Sequence, residues 1–143
     1  MIRRAVKKKV KRKDPYKTLR DKAWKEFSIY VRREGTDWRG FGVCFTCPKY
    51  APWQEFDAGH FKHGVMDFNR RNVNRQCTGC NRFWHGRLDA YATALVKKYG
   101  PEILDELDRG AIEERQKRLK GHAYTLGELT AIYEKYKVLN ERM

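Results

Sequence analysis

Cys44-Phe-Thr-Cys47 and Asn72-Val-Asn-Arg-Gln-Cys77-Thr-Gly-Cys80-Asn81-Arg-Phe-Trp-His85 are the stretches on which the reading of this chain turns. They hold all four cysteines of the 143-residue sequence, arranged as two C-x-x-C knuckles. Each knuckle can place two thiolates on one turn, and four thiolates saturate a tetrahedral Zn²⁺. A disulfide framework is the competing reading. The N-terminus is basic, but no apolar segment follows it as in an export signal, so a reducing compartment and a structural zinc are expected instead. A thioredoxin-like redox pair would account for one knuckle but not for two matched ones.

Between and just beyond the knuckles stand Asp57-Ala-Gly-His60, then Asn72, then Asn81 and His85. Phosphodiester hydrolysis needs a base for the attacking water and a cation for the charge that develops on the phosphate and the leaving oxygen. A histidine at a strand end can be that base, because an imidazole titrates near neutrality. The pattern after Cys80 predicts a helix. On a helix, residues at i and i+4 share a face, so Asn81 and His85 are expected to point together at one metal. Asn72, in the loop between, could hydrogen-bond backbone and hold His60 in its tautomer; Asn also simply favours turns.

Working outward, Val43–Thr46 and Trp53–Phe61 read as strands, Asn72–Gln76 as the approach to the second knuckle, and 62–71 as a loop. A helix is expected over Thr18–Glu34, with Asp14-Pro15 as a break before it. Leu88, Tyr91, Ala92, Leu95, Val96 and Tyr99 line one face of another. A weaker helix covers Glu102–Arg109, and Thr125-Leu-Gly-Glu128 is a capping box that opens a last one. The pattern predicts helices flanking a small β-hairpin and helix. It divides into a basic flexible tail (1–16), a zinc-bearing domain with its leading helix (17–100) and a C-terminal helical extension (101–143). No apolar run is long enough to span a membrane.

The net charge is +14, from 32 Lys and Arg against 18 Asp and Glu. Such an excess points to a polyanion, nucleic acid first. Arg3, Arg4, Lys7, Lys8, Lys9, Lys11, Arg12 and Lys13 crowd the tail without one acid among them. With Arg70, Arg71, Arg75, Arg82 and Arg87 they are the candidate phosphate contacts. Trp24, Trp38, Trp53, Phe83 and Trp84 read as packing residues, with Trp84 alternatively a wedge for distorted DNA. His63 reads as a solvated loop residue within reach of phosphate.

The order His60, Asn72, Asn81 with His85 resembles the HNH nuclease motif, and the flanking knuckles resemble its zinc-bearing branch. More narrowly, Cys-Phe-Thr-Cys, Asp-Ala-Gly-His-Phe and Asn-Val-Asn-Arg-Gln-Cys-Thr-Gly-Cys-Asn-Arg-Phe are similar to the NinG/Rap family of phage recombination proteins, over roughly residues 18–100. The resemblance implies an α+β fold: a small ββα-metal (HNH) core with a four-cysteine structural zinc, flanked by N- and C-terminal helices. It implies a DNA endonuclease acting on branched or structured DNA, with His60 as base and Asn72 as loop organiser. Asn81 and His85 would be ligands of a catalytic Mg²⁺ or Mn²⁺, in a cytoplasmic phage protein that could work as a homodimer. One departure matters. Many HNH proteins carry a metal-binding Asp or His just before the catalytic histidine, where this chain has Gly59. Asp57 is the candidate replacement, although residues three apart on a strand face opposite sides. That departure keeps open a non-catalytic zinc-stabilised DNA-binding module, and behind it a zinc-stabilised protein-interaction adaptor.

Overall fold

Asp14 and Pro15 start a helix rather than breaking one. In the computed structural model, which describes residues 12–143, the Asp14 carboxylate accepts a hydrogen bond from the Tyr16 amide at 3.0 Å. Pro15 occupies the first helical turn, where a missing N–H costs nothing. Helix α1, Pro15–Arg33, buries Ala23, Phe27 and Val31. Arg3, Arg4, Lys7, Lys8, Lys9 and Lys11 of the tail lie outside the described residues.

Two antiparallel ribbons follow. Strand β1 (Phe41–Val43) pairs with β2 (Tyr50–Pro52), and the first knuckle is the turn between them. The strand expected at Val43–Thr46 thus lies earlier, and β2 was not anticipated because Pro48 and Pro52 bracket so short a run. The strand expected from Trp53 begins with a 3₁₀ turn, Trp53–Glu55, and is extended only over β3, Phe56–His60. Strand β4, Val73–Cys77, pairs with β3 so that Phe56 faces Cys77, Gly59 faces Asn74 and His60 faces Val73. Side chains alternate across a strand, and the two faces differ here. Ala58 packs with Phe27, Val31 and Val73 against α1, on the same side as His60. Asp57, Gly59, Asn74 and Gln76 form the opposite, polar face.

The helix expected from Cys80 is instead a π-helical turn, Gly79–Phe83, followed by a bend in which His85 and Arg87 take left-handed φ of +50° and +46°. Helix α2 starts only at Leu88 and runs to Tyr99. The shared helical face proposed for Asn81 and His85 therefore does not exist. The amide of Gly86 turns back to the Cys80 carbonyl at 2.8 Å, a closure that an ordinary helix would not make.

Helix α3, Ile103–Leu119, extends well past Arg109. Its polar second half hides a buried row, because Ile103, Leu107, Ala111 and Glu114 continue one face. Helix α4, Leu126–Glu141, carries the anticipated capping box between Thr125 and Glu128. Residues 101–143 are no appendage. Helix α4 lies along α1, with Phe27 and Tyr136 meeting edge to face at 4.9 Å between ring centres. Asn140 donates to the Glu26 carbonyl at 2.9 Å, and the Tyr16 hydroxyl donates to the Tyr124 carbonyl at 3.0 Å. Among the described residues no helix is long and apolar enough to cross a membrane.

Asn72 fixes the segment that follows His60. It is wholly buried. Its Oδ1 accepts from the Lys62 amide at 2.7 Å, while Nδ2 faces the carbonyls of Lys62, Val65 and Met66 at 3.2–3.3 Å. Replacing it by Ala strands several buried backbone groups, each worth about 1–3 kcal/mol when unpaired. Asn72→Ala is expected to lose at least about 2 kcal/mol in urea unfolding; a variant as stable as the parent would contradict this account of the loop.

Candidate functional site

The four cysteines form a cluster that could hold a metal. Their sulfurs all lie within 4.8 Å of one another, and Cys47 Sγ stands 3.7 Å from Cys77 Sγ. A tetrahedron with metal–sulfur distances of about 2.3 Å has edges of about 3.8 Å. No pair is joined as a disulfide. Burial alone would push the Cys44 thiol up. The N–H groups of Cys77 and Thr46, and the Thr46 hydroxyl, outweigh it and bring Cys44 below the ordinary thiol value. Burial and the charge of Cys44 push Cys47 and Cys77 up. Four thiols packed this closely lose their protons together only when a cation compensates them.

His60 sits at the end of β3, half-buried against α1. Its ring stacks on Trp24 with centres 5.2 Å apart and planes 20° from parallel. Its Nε2 lies 3.1 Å from Asp67 Oδ1. Asp67 is only 7% exposed, pairs with Arg20 of α1 and has Arg118 of α3 at 3.8 Å. Burial pushes the Asp67 carboxyl up. The hydrogen bond with His60 and the charges of Arg20 and His60 outweigh it and hold Asp67 below the usual carboxylate range. Its ionisation therefore stabilises the fold at neutral pH, and this contribution is lost as pH falls through that depressed value. An ionised carboxylate can only accept, so Nε2 is the nitrogen that carries a proton toward Asp67, and in the neutral ring Nδ1 is the one with the lone pair. The tautomer is thus set by Asp67 and not by Asn72, whose amide is spent on backbone. Sequence reading missed Asp67 and Arg118: Asp67 sits in the loop between His60 and Asn72 with no telling spacing, and Arg118 comes within 3.8 Å of it only because α3 folds back.

The polar face carries a different group. Asp57 accepts from Asn81 Nδ2 at 3.1 Å and from Arg82 Nε and Nη2 at 3.0 and 2.9 Å. Asp57 and Asn81 are thus brought together, on the side of the hairpin away from the one His60 faces. His85 is exposed in its left-handed bend, and no hydrogen bond ties it to either. The space beside Gly59 belongs to Gln76: a Cβ at position 59 would collide with Gln76 Oε1 and come within 3.0 Å of Asn81 Oδ1. The glycine departure thus has a steric reason. Tyr91 of α2 donates from its hydroxyl to the Gly59 carbonyl at 2.7 Å, locking that strand end.

The basic candidates divide. Arg75 bonds the carbonyls of Val43, Arg32 and Glu34 at 2.9–3.1 Å, so it holds β4 to the end of α1 rather than facing solvent phosphate. Arg70 is tied to Glu34 and to the Val73 carbonyl, and Arg71 to Glu106. Arg82 is paired with Asp57 but two-thirds exposed. Arg87, Arg12 and Lys13 are exposed. Phe83 and Trp84, expected to pack, are instead 77% and 70% exposed between Arg82 and Arg87.

A profile of the family described as Bacteriophage Lambda NinG protein matches residues 2–142. Protein ninG of Escherichia phage lambda is 33% identical over 97 residues, covering 65% of this chain and 43% of that protein. Protein ninG of Salmonella phage P22 is 32% identical over 97 residues, with the same coverage. Protein ninG of Enterobacteria phage H19B is 33% identical over 82 residues, covering 54% of this chain and 37% of that protein. The chain spans less than half the length of these curated relatives. No solved structure matches it.

Proposed function

From the premise that this chain belongs to the NinG family of phage proteins, we propose that it is a zinc-stabilised, metal-dependent DNA endonuclease of the HNH (ββα-metal) kind. The observation that carries this reading is the His60 imidazole at a strand end, oriented by Asp67 and stacked on Trp24. A buried carboxylate that fixes one ring nitrogen and frees the other is how a histidine is prepared for general-base work. In this reading the β3–β4 hairpin, the π-helical turn and α2 are the ββα core, and zinc fills the four-cysteine cluster.

His60 Nδ1 takes the proton of the attacking water, and Asp67 stabilises the imidazolium that results. Trp24 and Asp67 hold the ring, while Asn72 fixes the segment that leaves it. Asp57 and Asn81 offer carboxylate and amide oxygens, the donors that Mg²⁺ and Mn²⁺ prefer; His85 is not placed to join them. A divalent cation held there, on the face of the hairpin opposite His60, would supply positive charge to a bound phosphate. Arg82, Arg87 and the basic tail hold flanking phosphates, branched or structured DNA being the proposed substrate.

The test is incubation of zinc-loaded protein with supercoiled plasmid, linear duplex and a four-way junction, with Mg²⁺, with Mn²⁺ and with neither. Cutting is expected only with added divalent cation, and fastest on the junction. Gly59 favours the alternative of a DNA-binding module without catalysis. Retention of the same DNAs with no cutting in any metal would establish that alternative and end the nuclease reading.

A further inference from the structure

We infer that Gln76 is itself a ligand of the divalent cation, its Oε1 replacing the side chain that Gly59 lacks. The inference rests on the nuclease reading above and names a residue outside the expected ligand set.

Gln76 is fully buried, and the direction of its amide is settled by its neighbours. Nε2 donates to Thr46 Oγ1 at 3.0 Å and to the Gly86 carbonyl at 2.8 Å. A carbonyl can only accept, so the nitrogen must face Gly86 and the oxygen must face the other way. That oxygen has no hydrogen-bond partner. Buried polar atoms are nearly always paired, and an exception asks for a physical cause.

The oxygen is turned toward the bare Cα of Gly59, at the point where a Cβ would sit. Asn81 Oδ1 lies 3.0 Å from the same point. Asn81 spends its Nδ2 on Asp57, so its oxygen is the end left beside Gly59. Two amide oxygens thus border the gap beside Gly59, and that of Gln76 is unpaired. Amide carbonyl oxygens are ordinary ligands of hard divalent cations. Asp57, the cross-strand partner of Gln76, supplies a carboxylate now neutralised by Arg82. The anchors of Gln76 extend the consequence. Thr46 belongs to the first knuckle and Gly86 closes onto Cys80, so both knuckles hold this ligand in place.

The experiment is a Mg²⁺ titration of zinc-loaded protein carrying ¹³C-labelled side-chain amides. The Gln76 Cδ and Asn81 Cγ signals should move together and saturate at one cation concentration. Mn²⁺ affinity, read from the free-ion electron spin resonance signal, should fall about tenfold or more in Gln76→Leu and in Asn81→Ala. If Asn81 moves and Gln76 does not, Gln76 is no ligand and the nuclease reading stands with a smaller ligand set. If neither amide moves and no DNA is cut in any metal, both readings fall. Should Gln76→Leu not fold, the titration of the unmodified protein still decides the matter.

Discussion

Cys77→Ser is expected to leave no cooperative folding transition at the parent's melting temperature and to release the bound zinc. Cys77 ends β4 and is one of the four clustered cysteines, so its loss would open both the hairpin and the cross-link that a zinc there would make between the two ribbons. Cys44, Ala51, Phe56, Cys77 and Cys80 form a small buried cluster of their own, whose sulfurs a zinc would tie together with that of Cys47. In such sites metal binding energy is folding energy, roughly 10–16 kcal/mol for zinc-finger peptides, which exceeds the net stability of most domains. Metal analysis of purified protein should return one zinc per chain, and chelation should unfold it. A zinc-free protein, or a Cys77→Ser variant with unchanged melting, would remove the cluster from the account.

His60→Ala is expected to lose cleavage by about 10²–10⁴-fold, the usual worth of a positioned proton-transfer group, while DNA and zinc binding stay as in the parent. Some stability goes with the ring, since Asp67 loses one of its buried partners, at about 1–3 kcal/mol; Arg20 and Arg118 remain to neutralise it. Asp67→Asn should keep DNA affinity and lower the single-turnover rate, because the amide no longer selects the Nε2–H tautomer. The pH–rate profile should shift as well, which a merely structural role would not produce. Raising Mn²⁺ should restore neither variant, since added cation cannot replace a base. For His85→Ala, the left-handed bend that removes it from Asn81 leaves little loss to expect.

Much of this was legible in the residues because the signals were local. Two matched knuckles announce a four-sulfur cluster at any fold, and the Thr125–Glu128 box marks α4 from four letters. The helix placed after Cys80 was misread for a physical reason. Its residue types suit a helix, but the chain closes Cys80 onto Gly86 through a π-turn and a run of three positive-φ residues, His85, Gly86 and Arg87, and neither leaves a periodic trace. The end of α3 was set too early because Glu114, a charged residue, is one of its buried positions: it accepts from the Met66 amide and from Arg118. Pairing decided its burial, and a hydropathy pattern does not carry pairing. The same limit hid Asp67. It lies only seven residues from His60, but its pairing with Arg20 and Arg118 links segments distant in the chain, and that pairing is visible only after the helices have packed.

The most direct test of the central claim, that His60 is the base of a metal-dependent DNA cutter, is the single-turnover cleavage rate of parent and His60→Ala on one four-way junction. Protein should be in excess, zinc loaded and Mn²⁺ saturating. The account predicts a parent that cuts and a variant that binds the junction equally well but cuts at least about 100-fold more slowly. Equal rates in the two proteins would contradict it.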